Sequence, residues 1–251
     1  MIEPCLALLF GLLIGSFLNV CVYRWPRDLS VVRPRSKCPA CDAGIAWYDN
    51  VPVLSWLLLR GRCRHCRARI HWRYPVVELL TATSFAWFVS QHGLSLAAAR
   101  YCVFTAILIA LGFADADTRI LPDELTLGGT LIGFVLSASL TDSLIGAVVA
   151  SGSLWLAGWL FKKLRHKEGL GLGDVKMLAM IGAFLGLQGA LLTIVVGSFL
   201  GAIVGLAWIR LTGKDAASYE LSFGTFLAVA GFLVAVGGES VIGWYTRNFF
   251  Q

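Results

Sequence analysis

Two acidic clusters and two thiol pairs hold the residues whose types and spacing suit chemistry. Asp115-Ala116-Asp117, followed by Leu121-Pro122-Asp123, closes one apolar run. Gly171-Leu172-Gly173-Asp174, followed by Lys176, opens another. A carboxylate at the edge of a membrane-spanning run is costly to dehydrate and marks a candidate site. Two carboxylates held a few ångströms apart do not both ionise readily, so one keeps a proton. The ionised member then takes a proton from water, and the protonated member donates to the developing oxyanion. That is the chemistry of an aspartic protease, and Asp115 with Asp174 is the candidate pair.

Each acid also has a plainer reading. Asp123 and Glu124 follow Pro122, which suits the positive start of a helix. Asp117 stands beside Arg119 as a surface carboxylate, or as the reserve for Asp115. Asp174 is placed to cap the helix that begins at Val175. Gly171 and Gly173, within the stretch from Gly169, permit close backbone approach. With Lys176 they form a candidate loop for an extended peptide substrate. The glycines fit neither nucleotide-binding pattern, and no G-x-S-x-G elbow or H-E-x-x-H pair is present.

The thiols form Cys38-Pro39-Ala40-Cys41 and Cys63-Arg64-His65-Cys66, with 21 residues between the pairs. That is a zinc-ribbon layout, in which each pair aims two thiolates at one ion. A pair of disulfides is the competing reading, which a reducing compartment disfavours. Cys5, Cys21 and Cys102 lie in apolar runs and read as small buried hydrophobes.

The elements that must position these residues are apolar. The chain is 57% hydrophobic and only 14% charged, against roughly 25% charged in soluble domains. Spanning helices need about 20 apolar residues each. The runs 4–23, 76–91, 100–114, 125–140, 143–161, 175–187, 190–209 and 223–245 predict about eight of them. The first run lacks a basic leader and a small-residue cleavage site, so it reads as a retained helix. Residues 24–75 hold 11 of the 21 Lys and Arg. Further basic loops carry Arg119, then Lys162, Lys163, Arg165 and Lys167, then Arg210 and Lys214. An outside N-terminus places all four loops in the cytoplasm, as the positive-inside rule requires. Topology thus accounts for the net charge of +6, and no nucleic-acid partner is expected. The expected fold is an all-α polytopic membrane protein, with a small cytoplasmic zinc-binding insertion between its first and second helices. Its expected divisions are a first span at 1–23, the cysteine module at 24–75 and a peptidase domain at 76–251.

The same residues resemble a known family. Phe10–Cys21 in the first helix, both cysteine pairs, Trp47–Pro52, Arg60–Cys63, Arg73–Glu78 and both acidic motifs are similar to the prepilin peptidases, or type IV leader peptidases. The resemblance implies a bifunctional enzyme of the bacterial inner membrane. Such an enzyme cuts the basic leader from prepilins or pseudopilins, in type IV pilus and type II secretion systems, at the cytoplasmic face. It then N-methylates the new terminus using S-adenosylmethionine. Asp115 and Asp174 match the family's catalytic aspartates, and Cys38, Cys41, Cys63 and Cys66 its zinc ligands. Gly61 matches a glycine associated with methylation. The alternatives are a peptidase without methylation and a non-enzymatic zinc-bearing transporter or scaffold. Charges near the bilayer midplane would mark a transporter, whereas these acids cluster at run edges.

Overall fold

The computed structural model describes residues 2–166, 170–212 and 222–249. Lys167, Gly169 and Lys214 lie outside the described residues. Regular structure among the described residues is helical, apart from the isolated bridges Lys37–Gly44 and Arg62–Arg69. The chain divides into two compact units, 1–110 and 111–251.

The first unit contains α1 (Ile2–Arg24), the short α2 (Leu54–Leu58), α3 (Arg73–His92) and most of α4 (Leu96–Thr118). Helices α1 and α3 approach through glycines one turn apart. A Cβ on Gly11 would stand 2.7 Å from the Ala82 Cα, and one on Gly15 2.6 Å from the Glu78 Cα. Small residues at a spacing of four let apolar helices bring their backbones together. Asn19 ties the end of α1 to the start of α3, donating to the Tyr74 carbonyl at 3.0 Å. The outer face of α1 leaves Leu6, Leu9, Leu13 and Phe17 exposed.

The second unit holds the last turns of α4, then α5 (Asp123–Val135), α6 (Leu140–Ile145), a π-helical turn at Gly146–Ala150, α7 (Ser151–Arg165), α8 (Leu172–Thr212) and α9 (Phe223–Phe249). Its core is the first half of α8, where Met177, Leu178, Ile181 and Phe184 are fully buried. Helices α5 and α9 pack on α8.

Four helical stretches are long and apolar enough to cross a membrane: Ile2–Arg27, Leu96–Thr118, Leu140–Arg165 and Leu172–Leu211. The bent pair Phe223–Gly238 and Ser240–Asn248 makes a fifth if it counts as one span. This is fewer than the eight expected. The runs 175–187 and 190–209 lie on the two arms of α8, which is kinked at Gly186 by a non-helical backbone (φ 69°, ψ −174°), and the two arms together make one apolar stretch. Helix α5 has 13 residues, short of the ~17 a bilayer core demands. Helix α3 carries the buried polar residues Glu78, Thr81 and Ser84, which lower its hydropathy.

Candidate active site and metal centre

Three helix ends assemble the acidic site within the second unit. Asp115 lies in the last turn of α4 and is 5% exposed. Asp174 lies in the first turn of α8. The start of α9 lies against both. A Cβ on Gly224 would stand 2.9 Å from Asp115 Oδ2 and 3.1 Å from Asp174 Oδ1. The two carboxylate oxygens are therefore no farther apart than those distances laid end to end, about 6 Å. Glycine is required at 224 because any side chain there would wedge between the acids.

Three donors converge on one oxygen of Asp115. The Thr225 backbone N–H donates to Oδ2 at 2.6 Å, the Thr225 hydroxyl at 3.0 Å, and the Ser222 hydroxyl donates at very short range. Thr225 is the third residue of α9, so its N–H is one of the amides left open at a helix start. The positive end of the α9 dipole thus faces the Asp115 carboxylate. The Ser222 and Thr225 hydroxyl oxygens lie 2.9 Å apart, so both hydroxyls gather at the same carboxylate oxygen.

The other candidates separate. Asp117, two residues beyond Asp115, is exposed. Lys176 is paired with Asp123, its Nζ 2.7 and 2.9 Å from the two carboxylate oxygens, so it clamps the start of α8 to the start of α5. Gly173 makes room for Leu121, whose Cδ1 would lie 3.1 Å from an added Cβ. Gly171 is exposed, and an added Cβ there would lie 3.5 Å from Asp174 Oδ2. Gly61 lies in the cysteine module of the first unit, at φ +63°.

That module is built from two matching turns. Cys38 N–H bonds the Ala43 carbonyl at 2.9 Å and the Asp42 N–H returns to Cys38 at 2.9 Å. Cys63 and Ala68 repeat the first bond at 2.9 Å, and Arg67 the second at 3.1 Å. Asp42 (φ 55°) and Arg67 (φ 60°) take the left-handed conformation at equivalent places. The sulfurs of Cys38, Cys41, Cys63 and Cys66 all lie within 4.8 Å of one another. Cys38 and Cys66 Sγ are 3.8 Å apart. A zinc tetrahedron with ~2.3 Å bonds has edges of about 3.8 Å, whereas a disulfide needs about 2.05 Å. The donor set therefore fits a zinc ion, and all four thiols are free. Backbone N–H groups of Cys66 and His65 pull the Cys63 thiol down to about 6. At Cys41 the Ala43 N–H lowers the value, but the Cys66 and Cys38 sulfurs outweigh it and push it up to about 12. Crowded sulfurs that resist ionising together are the setting a dication relieves.

Beyond these sites, comparison with known proteins decides the family. The chain matches the bacterial peptidase A24 N-terminal domain over residues 9–92 and the type IV leader peptidase family over residues 102–206. It is 40% identical to the prepilin leader peptidase/N-methyltransferase of Aeromonas hydrophila, over 97% of this chain and 94% of the relative. The chain belongs to the type IV leader peptidase family. The Pseudomonas aeruginosa relative of the same name is 38% identical over 97% of the chain and 92% of its own length. The Neisseria gonorrhoeae one is 35% identical over 98% and 93%. No solved structure matches the chain. The approach of Asp115 and Asp174 was expected from sequence, while the neighbours Ser222, Gly224 and Thr225 were not. Their one sequence signal is a polar Ser-Phe-Gly-Thr stretch at the start of the last apolar run.

Proposed function

We propose that this chain removes the leader from prepilins or pseudopilins by a two-aspartate mechanism and then methylates the new N-terminus. The observation that carries the peptidase half is the approach of Asp115 and Asp174 across Gly224. Asp115, already accepting from three donors, serves as the carboxylate that takes a proton from water. Asp174 carries the shared proton and donates it to the carbonyl oxygen as the hydroxyl adds. Collapse of the tetrahedral centre then returns a proton to the leaving amine.

Zinc held by Cys38, Cys41, Cys63 and Cys66 has a structural role here, closing a module too small to fold on its own core. The methyl donor is S-adenosylmethionine, which supplies an electrophilic methyl group when bound. The cysteine module and the acidic site face the cytoplasm, by the distribution of basic loops, in a multi-pass protein of the bacterial inner membrane. Exposed apolar side chains such as Leu131, Val135, Val148 and Trp155 meet lipid. The substrate is a peptide with a basic leader and a following apolar helix, which enters beside the bundle.

The test is incubation of the purified chain in lipid with a prepilin peptide, with and without S-adenosylmethionine, read by mass spectrometry. Leader loss in both mixtures, and an added methyl only with the donor, supports the proposal. An intact peptide in both mixtures contradicts the peptidase reading, and an unmethylated cleaved product contradicts the second.

A further inference from the structure

The relatives' names join two reactions, and Asp115 with Asp174 serves only the first. The methyl donor needs a site of its own. The first unit contains a cavity of about 200 Å³ beside the cysteine turns. Its lining is mostly apolar, from residues such as Ile45, Leu59 and Ile70, with Trp56 and Tyr74 among the rings.

Charged side chains of the cysteine module, Lys37, Asp49, Arg64 and Arg69, also line it, and one charged group reaches it from the long helices. Glu78 of α3 lines the cavity and is only 7% exposed. Its Oε2 accepts the Val53 N–H at 2.7 Å. Among the described residues no cation pairs with it. A buried carboxylate without a counter-charge is costly, so its place at an apolar chamber points to a cationic ligand. Val53 itself sits at φ 59°, ψ −50°, where a branched side chain is strained. Strain of this kind persists where the surroundings hold it and collects at ligand sites.

The aromatic wall is also built. Trp56 donates its Nε1–H to the Ile70 carbonyl at 3.3 Å. Its ring rests on Gly61, where an added Cβ would be 2.9 Å from Cζ2. Any larger residue at 61 would push the indole from its seat. Cys38 and Cys63 form another side of the chamber, so a bound zinc would stiffen that side.

We propose that this cavity binds the methyl donor by its sulfonium end, with Glu78 as counter-charge and Trp56 as the platform for the flat base. A sulfonium beside an adenine asks for these two features, a buried anion and an aromatic face. The assignment rests on the methyl-transfer reading above and places it in the chain.

Equilibrium dialysis of the full-length, zinc-loaded protein separates the possibilities, with labelled S-adenosylmethionine and its uncharged-sulfur product S-adenosylhomocysteine as probes. Wild-type protein is expected to bind both. Glu78→Gln should weaken S-adenosylmethionine by about tenfold or more, as for a lost charged contact, and the product by no more than about threefold. Trp56→Ala should weaken both alike, with Trp56→Phe restoring most of the loss. Equal weakening of both probes by Glu78→Gln would make that residue merely structural and overturn the proposal. So would wild-type affinities in both the Glu78 and Trp56 variants. Failure of wild-type protein to bind either probe would instead remove the methyl-donor reading itself. Zinc content reports folding; if Glu78→Gln loses its zinc, Leu59→Trp, which fills the chamber, decides. It is expected to abolish binding of both probes, and retained binding would overturn the placement.

Discussion

The cysteine cluster and the aspartate cluster are built in opposite ways. Each thiol pair is set by a six-residue turn, 38–43 or 63–68, with its own backbone hydrogen bonds. Only the meeting of the two turns is long-range. The aspartates come from helix ends 59 residues apart in sequence, at 115 and 174, and a third helix start at 222–225 completes the site. No local turn fixes that geometry. It depends on how α4, α8 and α9 pack, and on a glycine at 224 that leaves the space between the carboxylates open. The cysteine cluster is therefore specified by spacing, and the acidic cluster by packing.

That difference can be broken or sharpened by substitution. The largest effect is expected at the acids: Asp115→Asn or Asp174→Asn should lower leader cleavage by at least about 10³-fold, measured on a prepilin peptide, with zinc content unchanged. Retained cleavage in either would end the argument for that residue. Gly224→Ala comes next. Its methyl would fall about 3 Å from both carboxylate oxygens, and displacement on that scale costs about 10²-fold. The loss should appear in kcat. Wild-type kcat would mean that packing at α9 does not set the site.

Removing the metal sharpens the contrast from the other side. Chelation, or Cys38→Ser, should release zinc and raise hydrogen exchange across residues 36–70, and it should depress methylation before cleavage. Cleavage lost in step with zinc would show that the two sites are not separable. The smallest effect is expected at the module surface, where Arg64 donates to Asp49 at 2.6 and 2.7 Å. Arg64→Gln should move the thermal midpoint by no more than about 2 °C, as for other exposed pairs. Arg64 holds the Asp49 carboxyl below its usual range. The pair's contribution is thus complete above the ordinary carboxylate value and is lost as pH falls through the lowered one.

The same contrast explains what could be read from the chain before its structure. Four cysteines in two C-x-x-C pairs carry their geometry in their spacing, so the cluster was legible. Asp115 and Asp174 stood out because carboxylates at the edges of apolar runs are rare. Ser222 and Thr225 did not, since hydroxyls at a helix start are commonplace caps and nothing local says that they turn toward an acid on another helix. Four or five stretches of spanning length stand where eight apolar runs were expected, because a run's apolar length does not show how helices join or pack. The two apolar runs of α8 meet at a kink at Gly186, and the polar residues of α3 are buried inside the fold, which sequence does not reveal. Glu78 carries no local signal of its place at a cavity, which is a matter of packing.

The most direct measurement compares kcat/KM for leader cleavage in Asp115→Asn, Asp174→Asn and the double variant, in one lipid preparation. Residues that act as one unit are strongly non-additive. Each single change is expected to cost about as much as both together. Losses that multiply, or a single variant that still cleaves near the wild-type rate, would contradict a proton shared between Asp115 and Asp174.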